Sequence, residues 1–191
     1  PVATVDWDQP GLHNVRNALS AIVAARHVGI TPDHAVSALC RFSGVKRRME
    51  LLADLDGVRV YDDFAHHPTA IATTLQGLRN RVGEEPILAI IEPRSNTMHQ
   101  GVHREILLPS AADADRVLWA NLSDMDWLDK VIADAVKLGI TRHRLGSSVD
   151  ELIAAALEDL PRPCHIVIMS NGGFGGLHGK LVTALKKHLP S

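Results

Sequence analysis

Apolar residues at Leu12, Val15, Leu19, Ile22, Val23 and Ala25 recur at helical intervals, which predicts a helix entered through the turn Pro10-Gly11 and stopped by Gly29. Thr31-Pro32-Asp33 opens a second helix, with Thr31 as N-cap and Pro32 at its first position, running to about Arg41. From Met49 the pattern changes. Short apolar runs around Val58, Val60 and Tyr61, then Ile87–Ile91, Val117–Trp119 and Ile166–Met169, carry no polar alternation and suit strands buried in a parallel sheet. Amphipathic segments over about 69–82, 101–109, 126–138, 148–159 and 178–188 alternate with them. Repeated strand-helix units predict an α/β fold, a doubly wound and mostly parallel sheet with helices on both faces, preceded by a short helical segment. Phe42-Ser43-Gly44 is the natural joint between the two parts.

Composition narrows the class of protein. The 191 residues, 46% hydrophobic and 22% charged, suffice for one core of ordinary domain size with a small extra subdomain. A net charge of -2, with both signs mixed along the chain, offers no broad basic face, so nucleic acid is not an expected partner. Cys40 and Cys164 lack metal-ligand spacing and read as buried thiols of a reducing compartment, with the cytoplasm as the expected location. No apolar run approaches the roughly 20 residues that cross a bilayer, and no charged-then-apolar leader opens the chain, so no membrane association is expected. The first residue is Pro1 rather than Met, which suggests a fragment or a processed chain.

In an open α/β sheet, ligands bind beyond the carboxyl ends of the strands. The residues there are polar and unusual: Asp62-Asp63-Phe64-Ala65-His66-His67-Pro68, Glu92-Pro93-Arg94-Ser95-Asn96-Thr97-Met98, and Ser170-Asn171-Gly172-Gly173-Phe174-Gly175-Gly176. Asp62 and Asp63 suit ribose hydroxyls or a metal, but strand alternation aims them at opposite faces, so only one can enter a cleft. His66 and His67 read as a general base, an anion contact or a helix cap. Arg94 offers a guanidinium fork for a carboxylate, while Ser95 or Asn96 equally suits a helix N-cap. The glycine-rich run lets backbone N–H groups approach an anion, but it lacks Gly-x-Gly-x-x-Gly spacing. Upstream, His13 and Asn17 share a helix face with Asn14 beside them, and amides can both donate and accept at an adenine edge; helix capping is the plainer reading of Asn14. Lys46-Arg47-Arg48 suits phosphate oxygens or is simply solvated. His99 and His103, four apart, would hold a metal only with a third ligand that the sequence does not supply, and Trp7, Trp119, Trp127 and Cys164 are assigned to packing.

Three strings in order, Gly11-Leu12-His13-Asn14 with Asn17-Ala18-Leu19, Gly44-Val45-Lys46-Arg47-Arg48-Met49-Glu50, and Asp62 through Thr69, resemble the Mur ligase family in content and spacing. The Glu92–Met98 and Ser170–Gly176 strings are similar to one branch of it. That branch joins L-alanyl-γ-D-glutamyl-meso-diaminopimelate to UDP-N-acetylmuramate in cell-wall peptide recycling. The resemblance covers nearly the whole chain. It implies that residues 1–43 are the terminal helices of a central ATPase domain and that 44–191 form a Rossmann-like carboxy-terminal domain closing over the nucleotide.

It further implies ATP and Mg2+ as cofactors of the full-length ligase, with no metal held by this part. His13, Asn14, Asn17, Arg48 and Asp63 are then the nucleotide contacts, with Asp63 on the ribose. Arg94, Ser95, Asn96, Asn171, Gly172 and Gly173 bind the tripeptide, and His67 is the candidate catalytic residue lining the amine site. No Gly-x-x-x-x-Gly-Lys-Ser/Thr segment occurs in the chain, so it is expected to be inactive alone. Two alternatives stay open: part of a ligase of the same family for free L-alanine, and a stand-alone Rossmann-like binding module.

Overall fold

A computed structural model describes residues 3–7, 9 and 11–189; Pro10, half of the expected entry turn, lies outside them, as does Pro1. Helices α1 (Leu12–His27) and α2 (Pro32–Cys40) form the opening hairpin, α2 carrying Thr31 at its N-cap and Pro32 in its first turn. The apolar stripe of α1 is mostly outward: only Ala18 is buried, while Leu12, Val15, Leu19 and Val23 are exposed.

Six strands follow: β1 (Glu50–Leu55), β2 (Val58–Asp63), β3 (Ile87–Ile91), β4 (Arg116–Ala120), β5 (His143–Gly146) and β6 (Cys164–Met169). Their order across the sheet is β1-β2-β6-β3-β4-β5, and every pair is parallel except β1 with β2. The four apolar runs are therefore all parallel strands, as their lack of alternation required, and the two edge strands are additions. β1 was missed because its only apolar run, Leu51-Leu52-Ala53, is short and flanked by Glu50 and Asp54; the signal was Asp56-Gly57, both at positive φ, a turn that pairs the flanking segments antiparallel.

Helices α3 (Pro68–Val82), α4 (Asn96–His99), α5 (Arg104–Ser110) and α6 (Asp126–Lys137) follow β2, β3 and β4, and α7 (Val149–Leu157) and α8 (Leu177–His188) flank β6. Ile71, Leu75, Leu107 and Leu128 pack with Ala89, Val117 and Val167 on one face; Leu152, Leu181 and Leu185 pack with Val60, Leu88 and Ile166 on the other. The chain winds outward from β3 to β5, then returns to insert β6 at the centre. Since crossovers are right-handed, that reversal puts α7 on the opposite face from α3, α5 and α6. Cys164 is buried, its thiol pushed up to about 11 by desolvation. Cys40, expected to be buried, is exposed: it ends α2 beside the opening segment, its Sγ accepting from Asp6 N. No described helix is long and apolar enough to cross a membrane.

Candidate functional site

Two sites lie side by side at the joint and the carboxyl ends of the strands. The first is a cleft of about 690 Å3 between α1, the joint and β2–α3. His13, Asn14, Asn17, Arg48 and Asp63 all line it. The N-cap of α1 is Gly11, so Asn14 stands inside the first turn instead of capping it. Gly11 itself sits at φ 92, and a Cβ there would fall 2.7 Å from the His13 ring, so the turn that presents His13 needs glycine. Trp7, Ala18, Ala21, Leu39 and Phe42 supply an apolar wall, Trp7 and Phe42 with ring centroids 6.3 Å apart. Trp7, expected only to pack, therefore helps to form the cleft.

Asp63 is 3% exposed, and its oxygens accept from Met49 N (2.9 Å), Ala65 N (2.8 Å) and Thr74 Oγ1 (3.2 Å). Burial pushes its carboxyl above the ordinary range, against the pull of the Ala65, Met49 and Thr74 hydrogen bonds and the Arg48 charge. A carboxylate has about four lone-pair sites, so these three donors leave one for a ligand. Asp62 faces the other way, with His178 Nε2 at 3.1 Å and Arg47 Nε at 3.3 Å.

The three cations of the joint separate. Lys46 borders an adjoining cleft of about 720 Å3 that also has Arg59, Arg81 and His165 in its lining. Arg48 borders both clefts. Arg47 turns into the sheet end: its Nη2 donates to Ser170 O (2.6 Å) and Gly172 O (2.9 Å), and its guanidinium lies 5.2 Å from the Phe64 ring centre. Its backbone carbonyl accepts from Phe64 N at 2.9 Å. One residue thus ties the joint to the β2 and β6 loops.

The second site is where those loops meet the β3 loop. Ser170 Oγ donates to the buried Glu92 carboxylate and accepts from Gly172 N at 2.9 Å. Arg94 lies over Gly172: a Cβ there would fall 2.1 Å from Arg94 Nη1, so the absent side chain makes room for the guanidinium. Ser95 is the N-cap of α4, accepting from Met98 N at 3.3 Å, and Asn96 follows it, exposed. Asn171 is half-buried and Gly173 is exposed.

His67 occupies the N-cap position of α3 without a side-chain cap bond; its Nε2 instead meets His103 Nε2 at 3.1 Å. Burial first, then His103 and His66, hold His67 below its ordinary value. His99 ends α4 while His103 precedes α5, so the pair does not share a helix. Among the described residues, no group of three or more His, Cys, Asp or Glu could hold a metal, and no hydrogen bond joins the His67 pair to Arg94 and Gly172.

A family model described as the Mur ligase, glutamate ligase domain matches residues 47–172, more than half of the chain. The chain belongs to the Mur ligase family. Over 187 residues it is 44% identical to the UDP-N-acetylmuramate–L-alanyl-γ-D-glutamyl-meso-2,6-diaminoheptandioate ligase of Escherichia coli K12, covering 97% of this chain and 40% of that protein. The crystal structure of a murein peptide ligase from Psychrobacter arcticus is 46% identical with a TM-score of 0.74, covering 99% of this chain and 40% of its own. A UDP-N-acetylmuramate–L-alanine ligase of Nitratidesulfovibrio vulgaris is 41% identical over 101 residues, 53% of this chain and 22% of that protein. This Mur ligase chain therefore spans about 40% of the length of the relatives that match nearly all of it.

Of the residues at these candidate sites, Thr74 was given no role by the sequence, Trp7 was assigned to packing, His103 was weighed only as a metal partner of His99, and Arg47 was not separated from its basic neighbours. Arg47 sat inside a basic run that nothing local could divide. Thr74 is one polar residue among several on α3.

Proposed function

We propose that this chain is the carboxy-terminal part of an ATP-dependent ligase that joins a murein tripeptide to UDP-N-acetylmuramate. Residues 1–43 are the terminal helices of its ATPase domain, and 44–191 form the domain that closes over the nucleotide and presents the amine. The supporting observation is the convergence of His13, Asn14, Asn17, Arg48 and Asp63 on one cleft from three separate stretches of chain, α1, the joint and the end of β2.

The cleft suits an adenine nucleotide. Its apolar wall accepts a flat base, Asn14 and Asn17 reach the base edge, Arg48 faces the phosphates, and the remaining lone pair of Asp63 is open to a ribose hydroxyl. When bound, ATP supplies the phosphoryl group that activates the muramate carboxylate. Mg2+ is assigned, by the family resemblance, to the rest of the longer ligase.

The second site suits the incoming peptide. Diaminopimelate and glutamate bring carboxylates, which the Arg94 fork and the backbone N–H of Gly173 are placed to receive, while the Gly172 N–H is held by Ser170 Oγ. Glu92, Ser170 and Arg47 hold those loops in place, so that the work of this part is positioning and charge stabilisation. A match spanning 97% of the chain favours this reading over the L-alanine ligase, whose match spans 53%.

Backbone NMR titration tests it. Saturable shifts at His67, Arg94, Asn96 and Gly173 are expected with L-alanyl-γ-D-glutamyl-meso-diaminopimelate and none with free L-alanine; shifts with L-alanine alone would overturn the proposal. In Gly172→Ala the new methyl displaces Arg94 while the fold is kept, because the clash is with the far end of a flexible side chain. Tripeptide affinity should then fall about 10- to 100-fold, the worth of a charge-assisted hydrogen-bond pair, with an unchanged melting temperature. Undiminished affinity would remove Arg94 from the site.

A further inference from the structure

The closest approach between two titratable side chains at the sheet end that no structural role explains is that of His67 and His103. Their Nε2 atoms are 3.1 Å apart, with ring centroids at 4.4 Å and planes at 74°. Two hydrogens would collide in that gap and two lone pairs would repel, so one Nε2 carries a proton and the other accepts it. His67 comes from the loop after β2 and His103 from the loop before α5, 36 residues on, so the contact exists only in the folded sheet.

We propose that His103 is a positioning residue for His67, accepting from its Nε2–H and so fixing the ring in the tautomer whose Nδ1 is a bare proton acceptor for the incoming amine. This rests on the reading above that His67 lines the amine site. Nδ1 of His67 has no other hydrogen-bond partner among the described residues. The titratable groups acting on His67 are His103 across the contact and His66 beside it, with no carboxylate among them. Burial and these two imidazoles keep His67 neutral at pH 7.

The step balances. One N–H bond of the substrate ammonium breaks, its proton passes to Nδ1 of His67, and its electron pair stays on nitrogen. That pair forms the new C–N bond at the activated carboxyl carbon; phosphate leaves with the C–O electrons and carries away the second proton that the nitrogen sheds as it becomes an amide. His67 becomes an imidazolium that keeps its Nε2–H directed at His103 Nε2. The contact that orients the base also resists a second proton on the pair through like charge, the sense in which His103 lowers His67.

Long-range imidazole 1H–15N spectra of the 15N-labelled chain, with His103→Ala and His103→Gln, test this. His67 is expected to be a single Nε2–H tautomer in the parent. In His103→Ala it should become a mixture of tautomers with a higher titration midpoint. In His103→Gln, whose amide oxygen reaches the place of Nε2, the parent tautomer should return. An unchanged tautomer and midpoint in all three would overturn the proposal. In the longer ligase, His103→Ala should lower kcat/KM for tripeptide about tenfold or more and move the acid limb of its pH profile upward, His103→Gln recovering most of the loss. Equal losses in both variants with an unmoved profile would also overturn it. Imidazole signals that behave as stated yet ignore saturating tripeptide would fault the amine-site reading and leave the pair standing.

Discussion

Asp63→Ala is expected to lower folding stability by about 3 kcal/mol or more, read from urea denaturation midpoints, before any ligand is considered. Its carboxylate joins three parts of the molecule: the joint through Met49 N, its own turn through Ala65 N, and α3 through Thr74 Oγ1. The side chain is 3% exposed, so truncation leaves donors facing a dry space, each at about 1–3 kcal/mol. Asp63→Asn keeps one accepting oxygen and turns the other position into a donor, so it should fall between the parent and Ala. A change within about 0.5 kcal/mol, the range of ordinary surface substitutions, would show that the three bonds do not hold the turn. The consequence reaches the site. Loss of nucleotide affinity in an Asp63 variant measures the turn that carries the cleft as well as any ribose contact, and only a variant of intact stability separates the two.

Acid should weaken the fold through His143, which is 1% exposed on β5. Trp119 Nε1 donates to its Nδ1 at 3.1 Å, and an indole nitrogen can only donate, so Nδ1 must stay bare. The proton then sits on Nε2, which makes the 3.4 Å approach of Arg142 Nε a charge neighbour instead of a hydrogen bond. Desolvation first, and that arginine second, lower His143 from 6.5 to about 4. The unfolded chain binds a proton below about 6.5 that the native state refuses until about 4, so this stability is complete above the first value and lost through that window. Two and a half pH units correspond to about 3 kcal/mol. His143→Asn, whose oxygen can accept from Trp119, removes the titration. The parent-minus-variant stability difference should therefore change by about 3 kcal/mol between pH 7 and pH 4, and a flat difference would mean that His143 titrates in the native state as it does in the unfolded chain.

The parallel core was legible because its evidence is local. Ile87–Ile91 and Ile166–Met169 are apolar at every position, which only a strand covered on both faces requires. Helix starts were legible where turn chemistry is short-range, as at Thr31-Pro32. The edge strands were not, since β1 buries no residue fully and β5 has only four residues. Cys40 was misjudged because burial of one residue at a helix end depends on what lies across from it, here Thr4 and Asp6 of the opening segment, which leave it exposed.

The order of the four core strands and their helices, their likeness to the Mur ligases and the three loops that hold the polar residues followed from the sequence by itself, because periodicity, capping and strand-end position are properties of neighbours in the chain. The tertiary structure decided the partners. Arg47 reaches Ser170 across 123 residues, His67 meets His103 across 36, and Arg94 lies over Gly172, none of which a local pattern encodes. The Arg47–Ser170 and Arg94–Gly172 pairings exist because β6, last along the chain, is inserted between β2 and β3, bringing the last loop against the first two; strand order, set by the packing of both faces together, determines which side chain answers which.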